Sequence, residues 1–188
     1  MEEEIRQIHE DLENTVVYAT QDHTEAIALS DRIAIINAGA VQQTGTPEAL
    51  YEEPQNAYTA RFMGETNMLQ GTVTSHDDPL CRVTLDTGEE ITATAINISG
   101  AGARTQLSVR PERLVINPGD DATPNRYRAK VSGMNFRGDH TLVHLLLASG
   151  TQLEAKVPNS QAEGGFGFDG DVEVGWQARH CRALDPPA

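Results

Sequence analysis

Lysine is almost missing from this sequence. Lys130 and Lys156 are the only two, so nearly all of its 14 basic side chains are arginines, set against 28 aspartates and glutamates. The resulting net charge of −14 repels phosphate backbones and anionic lipid headgroups, which sets nucleic acid aside as a partner. A lysine-poor, acid-rich surface is compatible with adaptation to high salt and equally with an ordinary acidic protein. Cysteine is scarce as well: Cys81 and Cys181 lie far apart and outside any CxxC pair, so two half-buried, reduced thiols are expected rather than a metal or redox centre. No apolar run approaches the roughly 20 residues that span a bilayer. The opening, MEEEIRQIHED, is acidic where a signal peptide would be basic and then apolar, so a cytoplasmic protein is expected. Also lacking are a GxxxxGK[ST] phosphate loop and a GxSxG nucleophile turn.

What is present falls into two textures. With 38% hydrophobic residues in 188, two small cores are favoured over one large one. Glu2 to Asn14 reads as a helix with Ile5, Ile8 and Leu12 on one face and acids crowding its first turn, where the helix dipole favours them. Thr15 to Thr20 is a β-branched run suited to a strand buried on both faces of a parallel sheet. Asp22 and Glu25 form a capping box for a helix over Thr24 to Ser30. Arg32 to Asn37 and Val41 to Thr44 read as a hairpin turned by Asn37-Ala38-Gly39. Thr46-Pro47 starts a short helix through Tyr51, and Asn56 caps another that Gly64 ends.

From Asn67 onward the pattern becomes short alternating strands, giving an α/β segment over 1–65 followed by an all-β barrel over 66–188. The strands expected are Leu69 to Ser75, Arg82 to Leu85, Glu90 to Ala95, Gln106 to Arg110, Tyr127 to Met134, Thr141 to Leu147, Gln152 to Val157, Val172 to Trp176 and Cys181 to Leu184. They form an internal repeat: GTVTS, VTLDTGEEITA and LSVRPE are echoed by AKVSG, VHLLLASGTQLEAKV and VEVGWQA. Half a barrel leaves open edges, so the two halves are expected to close on each other. Pro118 to Pro124 and Gly164 to Gly170 read as surface loops.

Several residues invite chemistry. Asp22, His23 and Glu25 sit on a turn at a strand's end, where α/β proteins bind ligands, yet capping alone explains Asp22 and Glu25. Arg110 and Glu112 flank Pro111, and Arg110 suits either a small anion or a backbone carbonyl. Trp176 and Phe136 suit a stacking surface or, in so small a barrel, the core. His9, His76, His140, His144 and His180 show no ligand spacing to one another, and no metal is expected.

The strings TQDHTEA, SDRIAII, GAVQQTGTP and FMGETN closely resemble the end of the nucleotide-binding subunit of ABC transporters of the polyamine and iron(III) importer group. SVRPE at Ser108 to Glu112, Gly138 in NFRGDH and VEVGWQARHCRAL resemble the oligonucleotide/oligosaccharide-binding-type TOBE barrel that follows the ATPase domain there. The resemblance implies that the chain starts inside the ATPase domain, without its phosphate loop, signature sequence and magnesium-binding acids. It implies that Gln21 and Asp22 form the nucleotide-proximal switch loop, with Gln21 where the family has a histidine facing the terminal phosphate. Arg110 and Glu112 become candidates for a regulatory role in the barrel. The implied partners are a second ATP-binding subunit and transmembrane permease subunits at the inner face of the membrane. ATP and magnesium are implied only for a complete subunit, the isolated chain needing no cofactor and hydrolysing nothing. A free-standing module that binds a small solute is the alternative.

Overall fold

Side-chain caps set most of the helix boundaries in the first part of the chain. The computed structural model describes residues 2–12, 14–119, 123–159 and 170–184, and the chain divides into two compact units, Met1–Gly64 and Glu65–Ala188. Helix α1 spans Glu2–Leu12 and donates from Arg6 Nη2 to the Ala28 carbonyl of α2, His23–Leu29, at 3.2 Å. Asp22 caps α2 through Oδ1, which accepts from the N–H groups of Thr24 and Glu25. Strands β1 (Ile33–Asn37) and β2 (Ala40–Gly45) form a hairpin in which Asn37 pairs with Ala40. The two turn residues, Ala38 and Gly39, therefore both hold positive φ, at 48° and 78°, the geometry that matches the twist of a tight hairpin. Thr46 caps α3 (Pro47–Glu52) and Asn56 caps α4 (Ala57–Phe62). Ile33, Ile35, Leu50 and Met63 bury themselves between these elements, with the stacked rings of Tyr58 and Phe62 against them.

The strand expected over Thr15 to Thr20 does not form. Val16, Val17 and Tyr18 are exposed at 54%, 93% and 46%. A strand of that composition is stable only between neighbouring strands, and no described residue pairs with this run.

In the second unit the repeat becomes a reciprocal exchange of strands. The first half gives β3 (Asn67–Asp77), β4 (Leu80–Leu85), β5 (Glu90–Asn97), β6 (Arg104–Val109), a 3-10 turn at Pro111–Arg113 and β7 (Val115–Ile116). The second gives β8 (Asn125–Phe136), β9 (His140–Leu147), β10 (Gln152–Pro158), β11 (Asp171–Trp176), a 3-10 turn at Ala178–His180 and β12 (Cys181–Leu184). β12 leaves its own half to close a five-stranded barrel in the order β12-β5-β4-β3-β6, pairing parallel with β5 and antiparallel with β6. β7 crosses the other way and pairs with β11 at the edge of a curled sheet, β10-β9-β8-β11-β7. Each half thus covers an edge that the other would leave open, and an open edge is what an isolated barrel fragment cannot afford.

Two details make the closure possible. Gly71 of β3 crosses β4 so closely that a Cβ there would lie 2.5 Å from the Thr84 carbonyl oxygen. Trp176, 1% exposed, fills the middle of the shared core with its ring 5.4 Å from that of Tyr127. Phe136, by contrast, is 74% exposed near the β8–β9 turn, so of the two readings the core one holds for Trp176 and not for Phe136. The two cysteines are fully buried rather than half-buried, and burial pushes the Cys81 thiol up to about 11 and the Cys181 thiol up to about 12. Residues 120–122, in the loop expected over Pro118 to Pro124, and 160–169, which carry the GGFGF run, lie outside the described residues, as do Glu13 and residues 185–188.

Candidate functional site

The turn before α2 is held by four hydrogen bonds around one exposed side chain. Thr20 Oγ1 accepts from the Asp22 N–H at 3.0 Å and donates to Glu25 Oε2 at 2.9 Å. Asp22 Oδ1 accepts from Thr24 N at 2.8 Å and from Glu25 N at 3.4 Å. Those backbone donors hold the Asp22 carboxyl below the usual carboxylate range, so the cap is ionised at neutral pH. Gln21 lies between these anchors with its side chain in solvent. A capping box would have sent Glu25 back to the Asp22 N–H; here the Thr20 hydroxyl takes that N–H and Glu25 takes the hydroxyl. His23 is the first residue of α2 and is exposed.

Arg110 and Glu112 belong to the second unit. Arg110 is 5% exposed and donates from Nη1 to the Glu65 carbonyl at 3.0 Å, tying the start of the barrel to the end of β6. Glu112 is exposed in the 3-10 turn that follows. A backbone-carbonyl partner for Arg110, one of the roles open to it from sequence, is present.

Sequence reasoning missed a cleft of about 430 Å³ in the second unit, lined by Thr66, Asn67, Met68, Ser132, His144 and Glu154 among others. His144 Nδ1 meets Glu154 Oε1 at 3.2 Å across the β9–β10 pair, and its Nε2 lies 2.9 Å from Asn135 Nδ2. Ten residues separate this histidine from its acid, a spacing that signals nothing until the hairpin register is known. In the other half Arg82 takes the place of His144 but pairs with Glu90 at 3.3 Å, and the Tyr127 hydroxyl donates to the Glu90 carbonyl. Among the described residues no group of three or more His, Cys, Asp or Glu side chains converges as a metal site would require.

A five-stranded barrel joined to a curled sheet by exchanged strands is the architecture of an oligonucleotide-binding-like TOBE domain, and residues 107–184 match the TOBE domain family. The cytoplasmic molybdate-binding protein ModG has the same fold, with a TM-score of 0.55 at 17% identity, covering 64% of this chain and 96% of that one. Over nearly its whole length the chain is similar to spermidine/putrescine import ATP-binding proteins, PotA. It is 33% identical to that of Trichodesmium erythraeum over 192 residues, 98% of this chain and 50% of the relative. To that of Rubrobacter xylanophilus it is 33% identical over 98% of the chain and 48% of the relative, and to PotA 1 of Pseudomonas aeruginosa 36% over 86% and 43%. The chain is a homologue of the C-terminal part of these ATP-binding proteins, and it spans about half the length of the curated relatives it matches.

Proposed function

We propose that this chain is the switch-loop and TOBE portion of the ATP-binding subunit of an ABC importer of the polyamine type, supporting subunit pairing and the regulation of transport. The observation that carries this reading is that the alignment runs through both units, 98% of the chain, and so includes the turn at Gln21 as well as the barrel. On this reading the first unit is the end of an α/β ATPase domain and the second, from residue 66, is its TOBE domain. A second ATP-binding subunit and transmembrane permease subunits are the partners, and the assembly works on the inner face of the membrane. Attachment there is peripheral on this reading; among the described residues no helix is long and apolar enough to cross a membrane. A free-standing solute-binding module explains the barrel but leaves the matched first unit without a purpose.

The residues at the turn fit one part of a nucleotide site. Gln21 presents an amide that can donate to an anionic oxygen, and Asp22, engaged as a cap, fixes the backbone beside it. ATP with magnesium would supply the transferable phosphoryl group; the phosphate cradle and the magnesium-binding acids belong to residues outside this sequence. Arg110 ties the start of the barrel to the end of β6, and Glu112, exposed in the 3-10 turn beside it, is the residue proposed for a regulatory contact.

Co-expression with the phosphate-loop-bearing half of a PotA relative tests the reading. The expected result is a stoichiometric complex that binds ATP. Failure to associate, together with tight binding of a small solute by the chain alone, would favour the module.

A further inference from the structure

Glu25 occupies the position from which a carboxylate ordinarily reaches back to the cap residue's own N–H. It bonds elsewhere. Its Oε2 accepts from the Thr20 hydroxyl at 2.9 Å and from the Tyr18 hydroxyl at 3.4 Å. The Thr20 hydroxyl, oriented by giving its proton to Glu25, turns a lone pair to the Asp22 N–H at 3.0 Å. The bonds run from α2 back across the turn and forward again, so the peptide group after Gln21 and the Thr20 side chain before it are tied to the helix while the Gln21 side chain stays exposed.

We infer that Glu25 is a positioning residue for Gln21, setting the direction in which the exposed amide points by locking the Thr20 hydroxyl against the Asp22 backbone. The functional weight of this inference rests on the reading of Gln21 as the group that faces the terminal phosphate. A hydroxyl donating to an ionised carboxylate makes one of the stronger kinds of hydrogen bond, and the Thr20–Glu25 bond is partly buried, so water competes for it poorly. Tyr18 adds a second donor; the charge of Glu25 raises its pKa above the ordinary phenol value, so it keeps its proton throughout the physiological range. A flexible glutamine at the tip of a loose turn would point in many directions. The same glutamine on this turn has its Cα direction fixed and only its own torsions to freeze.

The inference is tested on the 188-residue chain by amide relaxation, with no nucleotide present. In the parent the Gln21 amide should have the order parameter of rigid backbone, about 0.85. Glu25→Ala and Thr20→Val should each lower it to about 0.6 or less, and the double substitution should go no lower. Glu25→Gln should retain the parent value, because its amide oxygen still accepts from both hydroxyls. Ala28, inside α2, should stay rigid throughout; if Glu25→Ala frays α2, Thr20→Val, which lies outside the helix and its cap, decides. An unchanged Gln21 in Thr20→Val, or a loss in Glu25→Gln equal to that in Glu25→Ala, would overturn the inference. Failure of the nucleotide reading would show separately, as Gln21 substitutions that leave ATP turnover in an assembled subunit unaltered.

Discussion

Asn67 and Asn125 make the same two-bond clamp in opposite directions across the second unit. Asn67, at the start of β3, accepts at Oδ1 from Glu154 N at 2.7 Å and donates from Nδ2 to the Glu154 carbonyl at 2.9 Å. Asn125, at the start of β8, does the same to Thr92 at 2.8 Å and 2.8 Å. Glu154 on β10 and Thr92 on β5 are equivalent in the repeat, so each half fastens the edge of the other with a side-chain amide standing in for a strand. The pair is not equal in burial: Asn125 is 0% exposed, whereas Asn67 opens onto the cleft.

That inequality sets the first expectation. Asn125→Ala leaves the N–H and C=O of Thr92 without partners in a site that water enters poorly, costing about 2–6 kcal/mol at about 1–3 for each orphaned group. Asn67→Ala exposes Glu154 to the cleft, where water replaces the amide, and should cost about 1–2 kcal/mol. Urea unfolding followed by Trp176 fluorescence measures both, and equal losses would contradict this account.

The cysteines report on the same closure. Both are buried, and burial pushes their thiols well above neutral pH, so the reactive thiolate is almost absent in the folded chain. Labelling by a thiol reagent at pH 7 should therefore follow the opening of the barrel, at least 100-fold slower, roughly, than in the urea-unfolded chain. Fast modification of Cys181 in the native chain would show that β12 frays from β5 and β6, and fast modification of Cys81 that β4 opens.

Acid should weaken the barrel through Glu89. Burial works against its charge, but hydrogen bonds from Ser149, Thr87 and Thr151 outweigh that and hold its carboxyl below the ordinary 4.5. Because the folded value is the lower one, its contribution is complete above pH 4.5 and is lost as pH falls through the folded value. These hydroxyls come from both hairpin turns, so the loss separates the two halves. Glu89→Gln should flatten the acid limb of a stability–pH curve; an unchanged limb would place the acid sensitivity elsewhere.

At the first hairpin, Ala38 holds a φ of 48° that an alanine side chain resists at a cost of about 1–2 kcal/mol. Asn is tolerated there, so Ala38→Asn should stabilise the first unit by about 0.5–1 kcal/mol, read as a rise in thermal midpoint.

Much of this was legible in the residues, for reasons that can be located. Glycine turns at Gly88 and Gly150 between alternating strands give away the repeat, and Asp22, Thr46 and Asn56 announce their helices because capping is a local interaction. Strand β7 was not legible, being two residues long with Val115 half exposed, too short to show any alternation. The clamps were hidden for another reason: an asparagine just before a strand reads as a turn residue, and its partner lies 87 residues away in one case and 33 in the other. Glu25 sits where the capping-box rule puts it but does not make the expected bond, because the Thr20 hydroxyl accepts from the cap N–H and donates to Glu25 instead. The run at Thr15 to Thr20 carries strand chemistry, but a ladder takes two partners.

ATP turnover is the most direct test of the central claim. The chain alone is predicted to hydrolyse no ATP, since positioning and charge stabilisation supply nearly all catalysis of phosphoryl transfer and their residues are not in this sequence. Joined to the ATPase half of a PotA relative, it should turn ATP over. There, Gln21→His should raise the rate with ATP binding nearly unchanged, by up to about a hundredfold, the typical contribution of one preorganised donor. His23→Gln should have little effect, its side chain lying in the first turn of α2. Sustained hydrolysis by the chain alone, or a joined subunit in which Gln21→His gives no gain while His23→Gln abolishes activity, would contradict the account.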